Sequence, residues 1–182
     1  KPIIKLDKVS LSLGKKKILN NIKFQINEGQ VIGLLGPNGV GKSTIFNLIT
    51  GLIKPDYGSI TINTEVVNDY PIYLRAKKFK LGYCPQNSGY FHGLTLLQNL
   101  NTIGEILIND KKIRNEKIDS MIAKFELDAV KDVKASYLSG GQKKKLVIAL
   151  ALLSNPKVLL LDEPFAALDV MTIKMLQKII VN

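Results

Sequence analysis

Cysteine and histidine each occur once in the chain, at Cys84 and His92. A lone thiol closes no internal disulfide, and no basic-then-apolar leader opens the chain, so both features point to a reducing, cytoplasmic setting. Arginine is confined to Arg75 and Arg114. Sequence-specific DNA reading leans on arginine forks and a docking motif, and with neither visible no specific nucleic-acid partner is expected. Long apolar runs are missing as well. The longest, Leu146 to Leu153, is eight residues, whereas a helix needs about 20 to cross a bilayer. Acidic residues are outnumbered 15 to 26, for a formal charge of +11. Such a field suits nucleic acid, anionic lipid or nucleotide phosphates alike. The lysines sit in short groups, at Lys15 to Lys17, Lys77 to Lys80 and Lys143 to Lys145, which reads most simply as a solvated basic surface.

What is present suffices for one well-cored domain: 182 residues, 46% hydrophobic, and too short for two ordinary domains. The expectation is a single domain over residues 1–182, cut from a longer protein at its C-terminal end. The chain starts at Lys1 without methionine, and Met171 to Val181 is a helical pattern with no stop signal.

Ile3 to Leu13 and Ile22 to Ile26 alternate apolar and polar residues, as half-buried antiparallel strands do. They predict a small antiparallel β subdomain. Val31 to Leu35 is nearly continuously apolar, then comes a glycine-rich turn and a helical pattern over Lys42 to Ile49. That order predicts strand, loop, helix. Leu81 to Cys84 and Val158 to Leu161 are further short buried-strand candidates, and strands separated by helices imply an α/β core with a mainly parallel sheet. Between Asn87 and Tyr137 the strand signal disappears, while Leu96 to Ile108 and Ile113 to Phe125 carry helical spacing. An inserted helical subdomain over approximately residues 88–137 follows. Thr95 with Gln98, and Ser139 with Gln142, fit capping boxes opening helices at Leu96 and at Gly140, the latter running to Ser154 before Pro156.

Gly36-Pro37-Asn38-Gly39-Val40-Gly41-Lys42-Ser43 matches the phosphate-binding loop in both spacing and context. Glycines let several N–H groups turn inward, and the following helix adds its positive end, making a nest for phosphate oxygens. Lys42 then reaches the β- and γ-phosphates and Ser43 offers a hydroxyl to Mg²⁺. Val158 to Leu161 delivers Asp162 and Glu163 at a strand's C-terminal end, the Walker B arrangement. Asp162 is placed for the Mg²⁺ shell and Glu163 to orient or deprotonate the attacking water. Read alone, the acidic pair is equally a plain strand end.

Leu138-Ser139-Gly140-Gly141-Gln142 adds a capped, glycine-rich helix start, either an ordinary cap or a second anion site. With both Walker motifs in order, the chain resembles the ABC ATPases, P-loop NTPases for which this is the signature sequence. The resemblance puts Gly36 to Ser43 and Thr44 on ATP. It implies an ATP-dependent head-to-tail homodimer in which Ser139 and Gly141 of one subunit face the γ-phosphate held by Lys42 of the other, with Gly140 and Gln142 also among the ATP-binding residues. It also makes Gln86 the Q-loop glutamine, touching the metal and the nucleophilic water, and Asp169 the D-loop residue contacting across the dimer, with Ala166 where many members have serine. Two departures stand out. Leu13 occupies the place of the aromatic that stacks on adenine, and the switch histidine lies past the chain's last residue, which His92 does not replace. The fragment is therefore expected to bind ATP and hydrolyse it poorly.

Within that family, Pro71-Ile72-Tyr73-Leu74-Arg75-Ala76-Lys77, Gly82-Tyr83-Cys84-Pro85-Gln86 and Asp162-Glu163-Pro164-Phe165-Ala166 are similar to the lipopolysaccharide export ATPases. Leu168-Asp169-Val170 departs from that group's pattern. The resemblance implies transmembrane partner subunits, a peripheral place on the cytoplasmic face of the inner membrane, and a partner groove lined by Tyr90, Phe91 and Leu94. The competing reading makes Phe91 and Leu94 core residues. Branched-chain amino-acid importer ATPases share several of the same words, and a soluble ATPase of iron–sulfur cluster assembly is the alternative without a membrane.

Overall fold

A computed structural model describes residues 1–34, 41–86, 89–166 and 168–181. They divide into two compact units, Lys1–Leu81 and Gly82–Asn182. In the first, β1 (Pro2–Leu13) pairs antiparallel with β2 (Lys16–Asn27). Helix α1 (Lys42–Thr50) follows, then β3 (Tyr57–Ile62), the short β4 (Glu65–Val66) and α2 (Ile72–Phe79). The sheet order is β2-β1-β3-β4, so β1 is flanked on both sides and supplies much of the core. Ile4 and Leu6 are buried at period two; the register then slips, with Lys8 at φ 53, and Val9 and Leu11 are buried in the new phase. An inserted residue of this kind returns the apolar side chains to the inner face of the sheet. The expected strand over Ile22 to Ile26 is thus the far half of a longer β2.

In the second unit, β5 (Leu81–Cys84) pairs with β6 (Val158–Leu161), as the two apolar runs predict. Helices α3 (Leu96–Leu107), α4 (Lys111–Lys124), α5 (Gly140–Leu153) and α6 (Val170–Val181) make up most of the rest. Their core joins Leu96 and Leu100 of α3, Ile118 and Ile122 of α4, Leu146 to Leu150 of α5, Leu176 of α6, and Cys84. Both expected capping boxes form, Thr95 with Gln98 and Ser139 with Gln142. Helix α4 starts before Ile113 because the Asp110 carboxylate accepts from the Ile113 N–H at 2.9 Å and caps it.

The expected strand from Val31 to Leu35 is not found. Leu35 lies outside the described residues, and Val31 to Leu34 form no strand, with Val31 85% and Ile32 45% exposed. An apolar run becomes a strand only when a neighbour completes its ladder. Among the described residues the two other short apolar strands, β5 and β6, pair with each other.

Candidate functional site

In the first unit the candidate residues open α1. Gly36, Pro37, Asn38, Gly39 and Val40 lie outside the described residues. Gly41 is the N-cap at φ 103, a left-handed conformation that favours glycine, and an added Cβ would stand 2.9 Å from Leu19 Cδ2. No side chain caps α1, and its first turn holds no acidic residue. Its positive end is therefore not offset by a carboxylate of its own, and Lys42 adds a full charge there. Lys42 and Thr44 are half-buried and Ser43 is exposed. Leu13, at the end of β1, is exposed and paired with Lys16.

In the second unit, pairing of β5 with β6 fixes the carboxylates. The Asp162 N–H donates to the Cys84 carbonyl at 3.0 Å, carrying the ladder one residue beyond β6 and burying Asp162 at its end. Glu163 follows at φ 48, a conformation costly for a side chain with a Cβ and one that clusters at functional sites. Its Oε2 accepts from Gln86 Nε2 at 2.5 Å, joining residues 77 apart in sequence. Gln86 is held in turn by its main chain, whose carbonyl accepts from Lys144 Nζ at 3.2 Å. Two residues that the motifs assign separate tasks are thus brought together, and the lysine beneath them comes from the signature helix.

The Lys143 to Lys145 group is accordingly not a solvated surface. All three side chains are half-buried, because α5 is the most buried helix of this unit and its first turns share that setting. The Lys144 ammonium also acts on Cys84. Burial pushes that thiol up to about 11, with Lys144 pulling it down and the Asp162 charge adding to the rise.

At the start of α5, Ser139 Oγ accepts from the Gln142 N–H at 3.2 Å while Gln142 Oε1 accepts from the Ser139 N–H at 2.9 Å. The Ser139 O–H proton is not used by that box, since a hydroxyl both donates and accepts. Gly140 is exposed with open space where a Cβ would lie, and Gly141 faces Leu168 and Thr172 no closer than 3.9 Å. Asp169 caps α6, accepting from the Thr172 N–H at 2.9 Å and its hydroxyl at 2.6 Å. Those bonds hold its carboxyl below the usual range. Ala167 lies outside the described residues.

Phe91 is 49% exposed, and Tyr90 and Leu94 are half-buried, with the Tyr90 ring 4.6 Å from that of His92. Behind them is a residue the sequence reading missed. Asn99 of α3, fully buried, accepts from the Phe91 N–H at 2.6 Å and donates to the carbonyls of Phe91 at 3.0 Å and Thr95 at 2.9 Å. One amide therefore pins both main-chain groups of Phe91 and leaves its ring outward.

The donor chemistry suits a nucleotide with a hard cation. Ser43 in the first unit and Asp162 in the second each offer oxygen, and magnesium is usually bound through one or two carboxylates plus substrate phosphates. Among the described residues no helix is long and apolar enough to cross a membrane.

The sequence profile of the ABC transporter family matches residues 19–166. The chain is 36% identical over 181 residues to the lipopolysaccharide export system ATP-binding protein LptB of Haemophilus influenzae, covering 99% of this chain and 75% of the relative. It is 37% identical over 169 residues to a probable ABC transporter ATP-binding protein of Azorhizobium caulinodans, covering 93% and 60%. The chain thus spans about 60% of one curated relative it matches and 75% of another. Among solved structures, the ATP-binding cassette MJ0796, a dimer bound to ADP and Pi in a post-hydrolysis state, superposes with a TM-score of 0.85 at 29% identity, covering 97% of this chain and 81% of that one. CbiO1 of Clostridium perfringens, part of the transporter complex cbiONQ, gives 0.81 at 31%, covering 99% and 72%.

Proposed function

Because this chain belongs to the ABC transporter family of ATP-binding proteins, we propose that it is the ATP-hydrolysing motor of a transporter, acting as a head-to-tail homodimer on membrane-spanning partners at the cytoplasmic face of the inner membrane. The observation supporting this reading is the Gln86–Glu163 hydrogen bond at the end of β6, which joins the two residues that the sequence motifs assign to the attacking water. Lipopolysaccharide export is the transport class favoured by the similarity to LptB over nearly the whole chain.

In this reading the motif from Gly36 to Gly41 offers main-chain N–H groups to the phosphates and Lys42 binds their terminal oxygens. Ser43, Asp162 and Gln86 are the residues that would hold the metal, as the family resemblance implies. Magnesium, when bound with ATP, neutralises charge growing on the β- and γ-phosphate oxygens. Glu163 orients the attacking water and accepts its proton. Gln86 keeps the Glu163 carboxylate in place and, tied to Lys144, reports the position of α5 to it. Ser139 donates its spare O–H proton, and the N–H groups at Gly140 and Gly141 join it, toward the γ-phosphate held by the other subunit. Phe91, fixed by Asn99, offers an aromatic anchor to a membrane subunit, as interface hot spots do.

The test uses the full-length protein. Glu163→Gln should accumulate an ATP-bound dimer by size-exclusion chromatography with light scattering, and Lys42→Ala should abolish tight nucleotide binding. Equal ATP turnover by wild type and Glu163→Gln removes Glu163 from the mechanism. Mass spectrometry of proteins retained with Glu163→Gln and ATP in detergent decides the class. Multi-spanning lipopolysaccharide-export subunits support the reading, amino-acid importer subunits move the substrate, and exclusively soluble partners refute the transporter.

A further inference from the structure

Arg75 is fully buried and stands first among the largest buried side chains. An arginine at 0% exposure normally faces a carboxylate; among the described residues none lies within ion-pair distance, and its partners are main-chain carbonyls. Nη1 donates to Leu48 at 2.6 Å and Ile49 at 3.0 Å, and Nε to Tyr70 at 2.8 Å, with Nη2 3.4 Å from Asn68 O. Leu48 and Ile49 belong to the last turn of α1, and their carbonyls accept no main-chain N–H from within the helix. The buried cation thus sits on the negative end of α1, the helix that opens at Gly41, Lys42 and Ser43. A neutral donor would satisfy one or two carbonyls; a guanidinium satisfies several and also opposes the helix dipole.

We infer that Arg75 is a positioning residue for the phosphate site. It anchors α1 from the far end and so sets where Gly41 to Ser43 meet the nucleotide. The inference rests on the ATP-binding reading above. α1 is nine residues long, or about 13 Å at 1.5 Å per residue, so Arg75 acts through the helix and not by touching ATP. Gly51 offers a second route to the same contact. It is the C-cap of α1 at φ 88, and an added Cβ would stand 2.8 Å from Arg75 Nε and 3.0 Å from its Cζ.

The experiment measures nucleotide affinity with a fluorescent ATP analogue, steady-state ATP turnover and thermal unfolding, all on the full-length protein. Arg75→Met should weaken binding about tenfold at temperatures where it remains folded. KM should rise and kcat hold, since Arg75 touches no reacting atom. Arg75→Lys should recover part of the affinity, because an ammonium keeps the charge but not the fork. Gly51→Ala should weaken binding in the same direction by displacing the guanidinium. Arg75→Lys and Gly51→Ala with lowered Tm but wild-type affinity make Arg75 purely structural and overturn the inference, even where Arg75→Met fails to fold. A wild type that binds no ATP, or a Lys42→Ala that binds as wild type does, sinks the nucleotide reading and this inference with it.

Discussion

Asn99→Leu removes the amide that fixes Phe91 while keeping the branched shape of the side chain. Asn99 makes three hydrogen bonds between 2.6 and 3.0 Å, and its Nδ2 lies 3.4 Å from Leu94 O as well. Each well-formed bond contributes about 0.5–1.5 kcal/mol net, and orphaning the partly buried Phe91 N–H adds the cost of desolvating a group with no partner, while the Phe91 C=O keeps the Leu94 N–H at 3.3 Å. Placing leucine in a fully buried site returns part of that by apolar transfer. The balance is a loss of about 2–3 kcal/mol, or about 4–12 °C in Tm for a chain of this size. Urea unfolding followed by circular dichroism gives the first number. Hydrogen exchange at the Phe91 amide gives a local one, because that N–H should lose most of its protection while the α5 amides keep theirs. Asn99→Asp should be worse than Asn99→Leu near neutral pH, since it sets a carboxylate against three carbonyls. An Asn99→Leu variant within about 0.5 kcal/mol of wild type, with the Phe91 amide still protected, would refute the clamp.

Lys144→Met should lower kcat while leaving nucleotide affinity unchanged, because Lys144 holds the Gln86 carbonyl and not the phosphates; single-turnover hydrolysis alongside equilibrium binding separates the two. Cys84 gives a pH dependence. Its thiol is raised from 9.0 to about 11, so above pH 9 the unfolded chain gives up this proton before the folded one does. The native state's advantage is complete below pH 9, falls as pH rises toward 11, and amounts to a few kcal/mol at most. Urea midpoints at pH 8 and pH 10.5 for wild type and Cys84→Ala should differ by a pH-dependent gap that the variant lacks.

Where a structural decision was local, the sequence carried it. Thr95 with Gln98 and Ser139 with Gln142 each complete a hydrogen-bonded box within four residues, so composition at fixed spacing was enough. The runs 81–84 and 158–161 were readable as strands for a related reason, being short, apolar and bounded by breakers. Val31 to Leu35 has the same composition and is not a strand over its described residues, because a ladder needs a partner and composition names none. Helix α2 escaped notice because it is short and mostly exposed, with Arg75 and Phe79 its buried residues. An arginine in such a stretch reads as surface, and only the carbonyls of Leu48 and Ile49, more than 25 residues away, make it core. Asn99 and Lys144 share that property. Each is a polar residue on a helix whose meaning lies in a main-chain group elsewhere, Phe91 for one and Gln86 for the other. Main-chain partners leave no mark on the sequence, since any residue type supplies the same carbonyl. A motif therefore identifies the side chains that meet a ligand, while the side chains that hold those in place become visible only when the fold brings their partners to them.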